Sequence, residues 1–382
     1  MATHTPTEAT GSGVIPVSDP ARREPVLTIE DLDVHFPAND GSVARVVDRL
    51  RLTVNRNEII GIAGESGSGK TTLVEAILGI SRFPNRRLNG RVLFETRTRG
   101  QVDLATISAR QMRRLRLEEI AYIPQGSMNS LNPVLRVGDQ IADGMIDHGV
   151  PAGQARGRVP ELLERVGLEA RVARLFPHEL SGGMKQRVII AIAIAMSPSL
   201  IVADEPTTAL DVNVQRRILE TLARLRDEMQ VAIMLVSHDM AVHAQLVDRV
   251  GIMYAGQIVE TGEVREAVKR PMHPYTAGLM QAIPSIDRPR ARMEGIRGAT
   301  PSPRNWPEGC RFHDRCPRAM PVCRTIPPLL AEPVAGRREG VTGPVDVIAG
   351  RQVACHLYPE STPPEARSDG SGRPAATTEA AR

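Results

Sequence analysis

The sequence predicts an α/β fold with a parallel core sheet, an antiparallel side sheet, a helical insertion and a small cysteine-containing domain at its C-terminal side. Three observations carry this reading. Between Val26 and about Gly262, short apolar runs alternate with longer segments of helical period, and Ile59–Ala63 (IIGIA), Leu200–Ala203 (LIVA) and Val231–Val236 (VAIMLV) are the plainest runs. None shows a polar face, so each reads as a strand buried on both sides, and such strands alternating with helices make a covered parallel sheet. The first run passes directly into a glycine-rich loop and then a helix. After Gly262 the text becomes Pro-rich (Pro271, Pro274, Pro284, Pro301, Pro303, Pro307), loses long periodic segments and holds every cysteine.

Length and composition set the limits. The 382 residues, 41% of them hydrophobic, suffice for about two domains with real cores, at roughly 150 residues per domain. The expected boundaries are a disordered tail over 1–24, a core domain over 25–265, a smaller domain over 266–359 and a second disordered tail over 360–382. Both tails are polar, Pro/Gly-rich and without apolar periodicity. The longest unbroken apolar run, Val188–Met196, has nine residues, against the roughly twenty that a membrane-spanning helix needs. The first residues lack the basic start and apolar core of a secretory signal, which points to the cytoplasm. With 48 Lys and Arg set against 44 Asp and Glu, the net charge is only +4. That balance argues against a dedicated nucleic-acid binder, whose basic residues would dominate one face.

Taken in order, Leu27–Phe36 and Ala44–Val54 read as an antiparallel strand pair, with Gly90–Glu95 joining them in the side sheet. From about 103 to 180 the reading changes to helix, most plainly at Arg110–Glu119 and Pro160–Val166. A further helix runs through Val188–Met196, with Ser181 as its N-cap and Ser197-Pro198 as its stop.

The loop after the first core strand is Gly64-Glu65-Ser66-Gly67-Ser68-Gly69-Lys70-Thr71, followed by Thr72, and fits G-x-x-x-x-G-K-[ST]. Its glycines let successive backbone N–H groups curl round a β-phosphate, and the helix start adds partial positive charge. Lys70 supplies a point charge for the β- and γ-phosphates, and Thr71 a hydroxyl for Mg2+. Together these imply ATP with Mg2+. The run Leu200–Ala203 ends in Asp204-Glu205, which puts Asp204 where it can hold the Mg2+ shell and Glu205 where it can polarise an attacking water. By itself that pair could equally be a strand leaving the core into a solvated turn.

Leu180–Arg187 (LSGGMKQR) sets two glycines after a capping serine, so Ser181, Gly182 and Gly183 form a second anion site, with Ser181 111 residues beyond Lys70. With this third element the chain resembles the ABC transporter ATPases, and its fold is expected to be a P-loop ABC-type nucleotide-binding domain. In that family the signature loop of one subunit closes over ATP held by the phosphate loop of its partner. The resemblance implies further roles. Gln125, closing Ile120–Gln125, would touch the metal and water, and Asp211 in Ala209–Asp211 would communicate across the dimer. His238, after the third core strand, would contact the γ-phosphate, and Phe36 would stack on adenine unless it is a core residue of the side sheet. Asn57 stands before Glu58 where the family commonly has Gly, and Asn tolerates the same left-handed turn. Met184 replaces a common Gln, as in peptide-type importers.

Three stretches narrow the resemblance to the ATP-binding subunits of dipeptide/oligopeptide (and nickel) importers: Ser130–Pro133, His273–Thr276, and the block Gly309–Pro317 with Cys323 and Ala354–Tyr358. It implies a second ABC ATPase subunit, two transmembrane permeases and an extracytoplasmic substrate-binding protein as partners, and a place on the cytoplasmic face of the membrane. Cargo is not written in this subunit, so nickel, sugar-oligomer or antimicrobial-peptide import remains open. A soluble ABC ATPase is the alternative. The gap between Lys70 and Ser181 is too short for the coiled coil of repair members, and the single motif set excludes the paired cores of translation members. A small-molecule kinase would leave the signature helix unexplained.

Cys310, Cys316, Cys323 and Cys355 crowd into 46 residues, and none occurs earlier. A reducing cytoplasm disfavours disulfides, and the spacings C-x5-C, C-x6-C and C-x31-C fit zinc poorly. Four thiolates are also what a [4Fe-4S] cluster takes. The importer resemblance favours that cluster over zinc or no metal.

Overall fold

The structure, a computed structural model, describes residues 24–37, 40–80, 86–126, 129–282, 295–333 and 350–364. Of the two tails, all but Glu24 and 360–364 lie outside the described residues.

Among the described residues, seven strands make the core sheet: β3 (Ile59–Ala63), β6 (Ile120–Ile123), β7 (Leu200–Asp204), β8 (Ala232–Ser237), β9 (Arg249–Tyr254), β10 (Gln257–Glu263) and β11 (Gln352–Val353). Their order is β11-β10-β9-β3-β8-β7-β6. The pairs β3–β8, β3–β9, β7–β8 and β6–β7 are parallel, whereas β9–β10 and β10–β11 are antiparallel. Alternate residues of the central strands enter opposite cores. Ile59, Ile201, Ile233 and Leu235 point to the face covered by α5 (Gly182–Ile194) and α6 (Val212–Met229). Ile60, Ile62, Val202, Met234 and Val236 point to the face shared with α1 (Lys70–Ile77) and the side sheet. Burial on both faces is why these runs lack alternation in the sequence. Each fully buried aliphatic side chain stabilises the fold by roughly 1.5–3 kcal/mol.

The side sheet contains β1 (Pro25–Pro37), β2 (Val43–Asn55), β4 (Arg87–Thr96) and β5 (Gly100–Asp103) in the order β2-β1-β4-β5. The expected strand pair and its third member are all present, and β5 extends it. Asn57 has φ 51°, the left-handed turn expected of it.

The stretch 103–180 departs from a purely helical insertion. After α2 (Ala109–Leu115), Leu117 turns with φ 68°, and β6 returns to the edge of the core sheet. Four residues are too short to show a period, which is why the strand was hidden in the text. The helical part is α3 (Val137–Asp147) and α4 (Ala152–Arg165), whose Ile141, Met145, Val159 and Leu163 pack into the core beneath α5.

Beyond α7 (Met240–Leu246), α8 (Val264–Lys269) and α9 (Pro274–Gln281), the C-terminal residues expected to form a separate domain are joined to the main core. Through β11, Val353 and Gln352 pair with Glu260 and Thr261. Phe312 sits in the main core with its ring 5.3 Å from Tyr254 and 5.4 Å from Tyr275. Among the described residues, the cluster local to this region holds Met272, Val353, Cys355, Leu357 and Tyr358 with Met320 packed against it, a small core beside the main one. Packing also continues past 359: Ser361 is fully buried and its hydroxyl donates to the Val353 carbonyl at 2.7 Å. Polar residues that are hydrogen-bonded inward look like tail composition in the text.

Candidate active site

The parallel strands all point their carboxyl ends to one edge, and the strand order brings four loops together there, the usual place for ligands in such sheets. The phosphate loop follows β3, Gln125 follows β6, Glu205 follows β7 and His238 follows β8. Glu65, Ser66, Gly67, Gly69, Lys70, Thr71, Thr72, Gln125, Asp204, Glu205 and His238 line one cavity of about 680 Å3, together with Val46, Leu279 and Pro303.

The loop's shape follows from its glycines. Gly69, the N-cap of α1, has φ 105°, and a Cβ there would lie 2.7 Å from the Val46 carbonyl oxygen. No other residue fits that conformation and approach. Lys70 is buried, and its Nζ donates to the Gly64 carbonyl at 2.7 Å, the Glu65 carbonyl at 2.8 Å and Ser68 Oγ at 3.3 Å. Burial lowers its pKa, against the opposing pull of Glu205, Asp204 and Glu65. The three carboxylates offset part of the cost of burying the ammonium.

Asp204 is buried at the end of β7. Glu205, with φ 51°, takes a conformation rare for a non-glycine residue; such strain clusters at functional sites. Its Oε1 accepts the His238 backbone N–H at 3.1 Å, and its Oε2 accepts from Thr208 Oγ1 at 3.1 Å. The His238 Nδ1 lies 2.6 Å from the same Oε1.

Thr71, Asp204 and Gln125 offer a hydroxyl, a carboxylate and an amide oxygen, the hard-oxygen donors that Mg2+ takes. These residues fit the ion. Bound there with a nucleotide, Mg2+ would neutralise charge on the phosphate oxygens.

Other expected site residues lie apart from this lining. Ser181 caps α5, its Oγ accepting the Met184 N–H at 3.3 Å, and Gly183 packs against Val214. Asp211 caps α6 through the Val214 N–H at 3.0 Å. Phe36 pairs with Ala44 and packs partly against the side-sheet core, which is the alternative weighed for it. The apolar wall of the cavity is instead Val46, Leu279 and Pro303. Sequence reasoning missed these three, Val46 on β2, Leu279 on α9 and Pro303 in a loop, because single apolar residues carry no chemical signature.

Burial raises the Cys310 and Cys355 thiols, and the cysteines are near enough to add to it: Cys323 and Cys316 at Cys310, the other three at Cys355. Even so, no group of three or more His, Cys, Asp or Glu among the described residues is arranged to hold a metal ion. The expected iron-sulfur cluster therefore finds no support in this geometry. Approach within electrostatic range is a weaker condition than a ligand set.

Comparisons with known proteins give the family. The ABC transporter family matches residues 47–208, and the family described as oligopeptide/dipeptide transporter, C-terminal region, matches residues 259–323. The chain is similar to the dipeptide transport ATP-binding protein DppD of Escherichia coli K12, 40% identical over 324 residues, covering 84% of this chain and 97% of the relative. It is also similar to the oligopeptide transport ATP-binding protein OppD of Salmonella typhimurium LT2, 41% identical over 309 residues, covering 80% and 90%. Among solved structures, the dimeric ATP-binding cassette MJ0796 bound to ADP and Pi superposes with a TM-score of 0.54 at 25% identity, covering 63% of this chain and 99% of that one. With the phosphate loop, the Asp204-Glu205 strand end and the signature helix in place, the chain belongs to the ABC transporter ATPases, in the group of oligopeptide/dipeptide transporter ATP-binding proteins.

Proposed function

We propose that this chain is the ATP-hydrolysing subunit of a peptide importer, held at the cytoplasmic face of the membrane beside two permeases and served by an extracytoplasmic binding protein. The observation that carries the reading is the split of the site. One cavity gathers the phosphate loop, Gln125, Asp204, Glu205 and His238, while Ser181–Gly183 stand outside its lining. A second copy or a related ATPase supplies the signature serine and glycines that complete it. Residues 25–265 act as the catalytic domain and 266–359 as its C-terminal extension. Dipeptide and oligopeptide transport in the relatives' names supports peptide as the cargo. Another solute remains the second reading, because the cargo is selected by other subunits.

In this mechanism Lys70 and the loop N–H groups hold the β- and γ-phosphates. Glu205 accepts a proton from the attacking water, and His238 orients Glu205 while donating toward the γ-phosphate. Thr71, Asp204 and Gln125 would hold Mg2+, which would supply positive charge beside the phosphates. Hydrolysis lets the two ATPase subunits part and rocks the permeases.

The test is co-expression with the two permeases and the partner ATPase, followed by ATPase assay in liposomes with the binding protein. The expected result is a stable complex whose turnover rises with peptide-loaded binding protein. Failure to associate with any permease would overturn the transport reading.

A further inference from the structure

The residues after α9 reach the phosphate loop directly at Glu65 and, through Gly256, at Ser68. Arg315 Nη1 donates to Glu65 Oε2 at 2.8 Å and Nη2 to Oε1 at 3.1 Å, a bidentate pair. Thr300 Oγ1 donates to Oε2 at 3.0 Å, and the Glu65 backbone N–H donates to Tyr275 Oη at 2.9 Å. Arg315 is itself fixed. Its side chain is 6% exposed, its Nε donates to the Arg297 carbonyl at 2.9 Å, and its guanidinium lies over the Tyr254 and Phe312 rings. Burial alone would lower its pKa, but the bonds to Glu65 and Tyr254 raise it.

The second point is Ser68. Its carbonyl accepts the Gly256 N–H at 2.8 Å, and the Trp306 ring covers Gly256 so closely that a Cβ would lie 2.6 Å from it. Arg311 stacks 3.5 Å over Trp306 and bonds Asp48 and the Ala255 carbonyl. Between these points the same segment places Pro303 in the cavity wall, its carbonyl accepting the Arg45 N–H at 2.9 Å.

Glu65 does not need its carboxylate to bind phosphate; the loop does that with backbone N–H groups. The Glu65 carbonyl also accepts from Lys70 Nζ, so one residue joins the buried lysine to Arg315. Resting on the reading of this cavity as an ATP site, we propose that Arg315 is a positioning residue. Through the Glu65 carboxylate it holds the phosphate loop in its binding shape, and the segment 296–316 thereby sets the affinity of the nucleotide site. A bidentate pair with a buried arginine is suited to this, because it fixes orientation as well as distance.

The test compares wild type, Arg315→Ala, Arg315→Lys, Glu65→Ala and the double variant Glu65→Ala/Arg315→Ala in the full transporter complex. ATP KM and kcat are measured alongside the thermal midpoint. Arg315→Ala is expected to raise KM for ATP about tenfold with kcat changed less than about twofold, about 1.4 kcal/mol in loop organisation. Arg315→Lys, which keeps the charge without the fork, should fall between, and it serves also if the alanine variant fails to fold. The double variant should be no worse than either single one, since both remove the same contact. An unchanged KM in a wild-type-like complex would overturn the proposal alone. A KM rise that merely tracks a fall in thermal midpoint would do the same. A wild-type complex that binds no ATP would overturn the assignment of the cavity and this proposal with it.

Discussion

His238 and Glu205 meet twice: Nδ1 of the imidazole lies 2.6 Å from Oε1 of the carboxylate, and the same oxygen accepts the His238 backbone N–H at 3.1 Å. The residues sit at the ends of neighbouring parallel strands, so the contact is set by the sheet itself. A third bond, from Thr208 Oγ1 at 3.1 Å, leaves the carboxylate little freedom to turn.

That arrangement predicts the effect of Glu205→Gln. The amide keeps the shape and can still accept the backbone N–H, but it cannot take a proton from water. Turnover should fall by about 10²–10⁴, with ATP affinity within about twofold of wild type. Steady-state phosphate release and equilibrium nucleotide binding check the two halves separately. Appreciable hydrolysis by the purified variant complex would remove Glu205 from the role of base.

A buried ion pair holds the far edge of the fold. Glu260 is fully buried, Arg351 Nη2 donates to it at 2.7 Å, and the Met272 and His273 N–H groups donate to it at 3.1 and 2.8 Å. Removing the arginine leaves a buried carboxylate without its cation, which costs roughly 3–5 kcal/mol. Arg351→Met should therefore lower the denaturation midpoint sharply, and Glu260→Gln/Arg351→Met should recover part of the loss. If the single variant unfolds at the wild-type denaturant concentration, the pair contributes nothing.

Most of this machinery was legible in the sequence, for a physical reason. Phosphate binding by backbone N–H groups demands glycine at fixed spacing, and Gly69 at φ 105° is that demand in three dimensions. Strands buried on both faces leave unbroken apolar runs, so β3, β7 and β8 stood out. β6 did not, because the four residues Ile120–Ile123 are too few to repeat a pattern that separates strand from helix. The long-range partners were hidden as well. Arg315 and Glu65 are 250 residues apart, and nothing in either local text announces the other. Phe36 shows a different limit: it packs partly against the side-sheet core, while Val46 and Pro303 line the cavity, and the local text alone does not separate a stacking ring from a core one.

The thiols give a chemical prediction. Burial, reinforced by neighbouring thiols, pushes Cys310 and Cys355 up to about 12, and burial also raises Cys316. At pH 8 a thiol with pKa near 12 is thiolate about once in ten thousand, and only the thiolate reacts. Air-free alkylation of the native protein should therefore label Cys310 and Cys355 about 10³-fold more slowly than in the guanidinium-unfolded chain, read site by site by mass spectrometry. Comparable rates in the two states would place these sulfurs in water.

The acid side of stability should depend on His273. It is fully enclosed, and burial lowers its pKa from 6.5 to about 3; His243 is lowered likewise to about 4. Below pH 6.5 the unfolded chain binds protons at these two positions while the native chain does not. Stability then rises with pH across this range and is lost as pH falls from 6.5, until the folded values are reached. Each histidine contributes a slope of about 1.4 kcal/mol per pH unit at most. His273 Nδ1 accepts the Tyr275 N–H at 3.0 Å as the N-cap of α9, and asparagine can accept that bond without titrating in this range. His273→Asn should thus keep the cap and reduce the dependence of unfolding free energy on pH between 4.5 and 6 by about one proton. Urea midpoints measured across that range give the slope directly, and an unaltered slope would show that His273 already titrates in the folded protein.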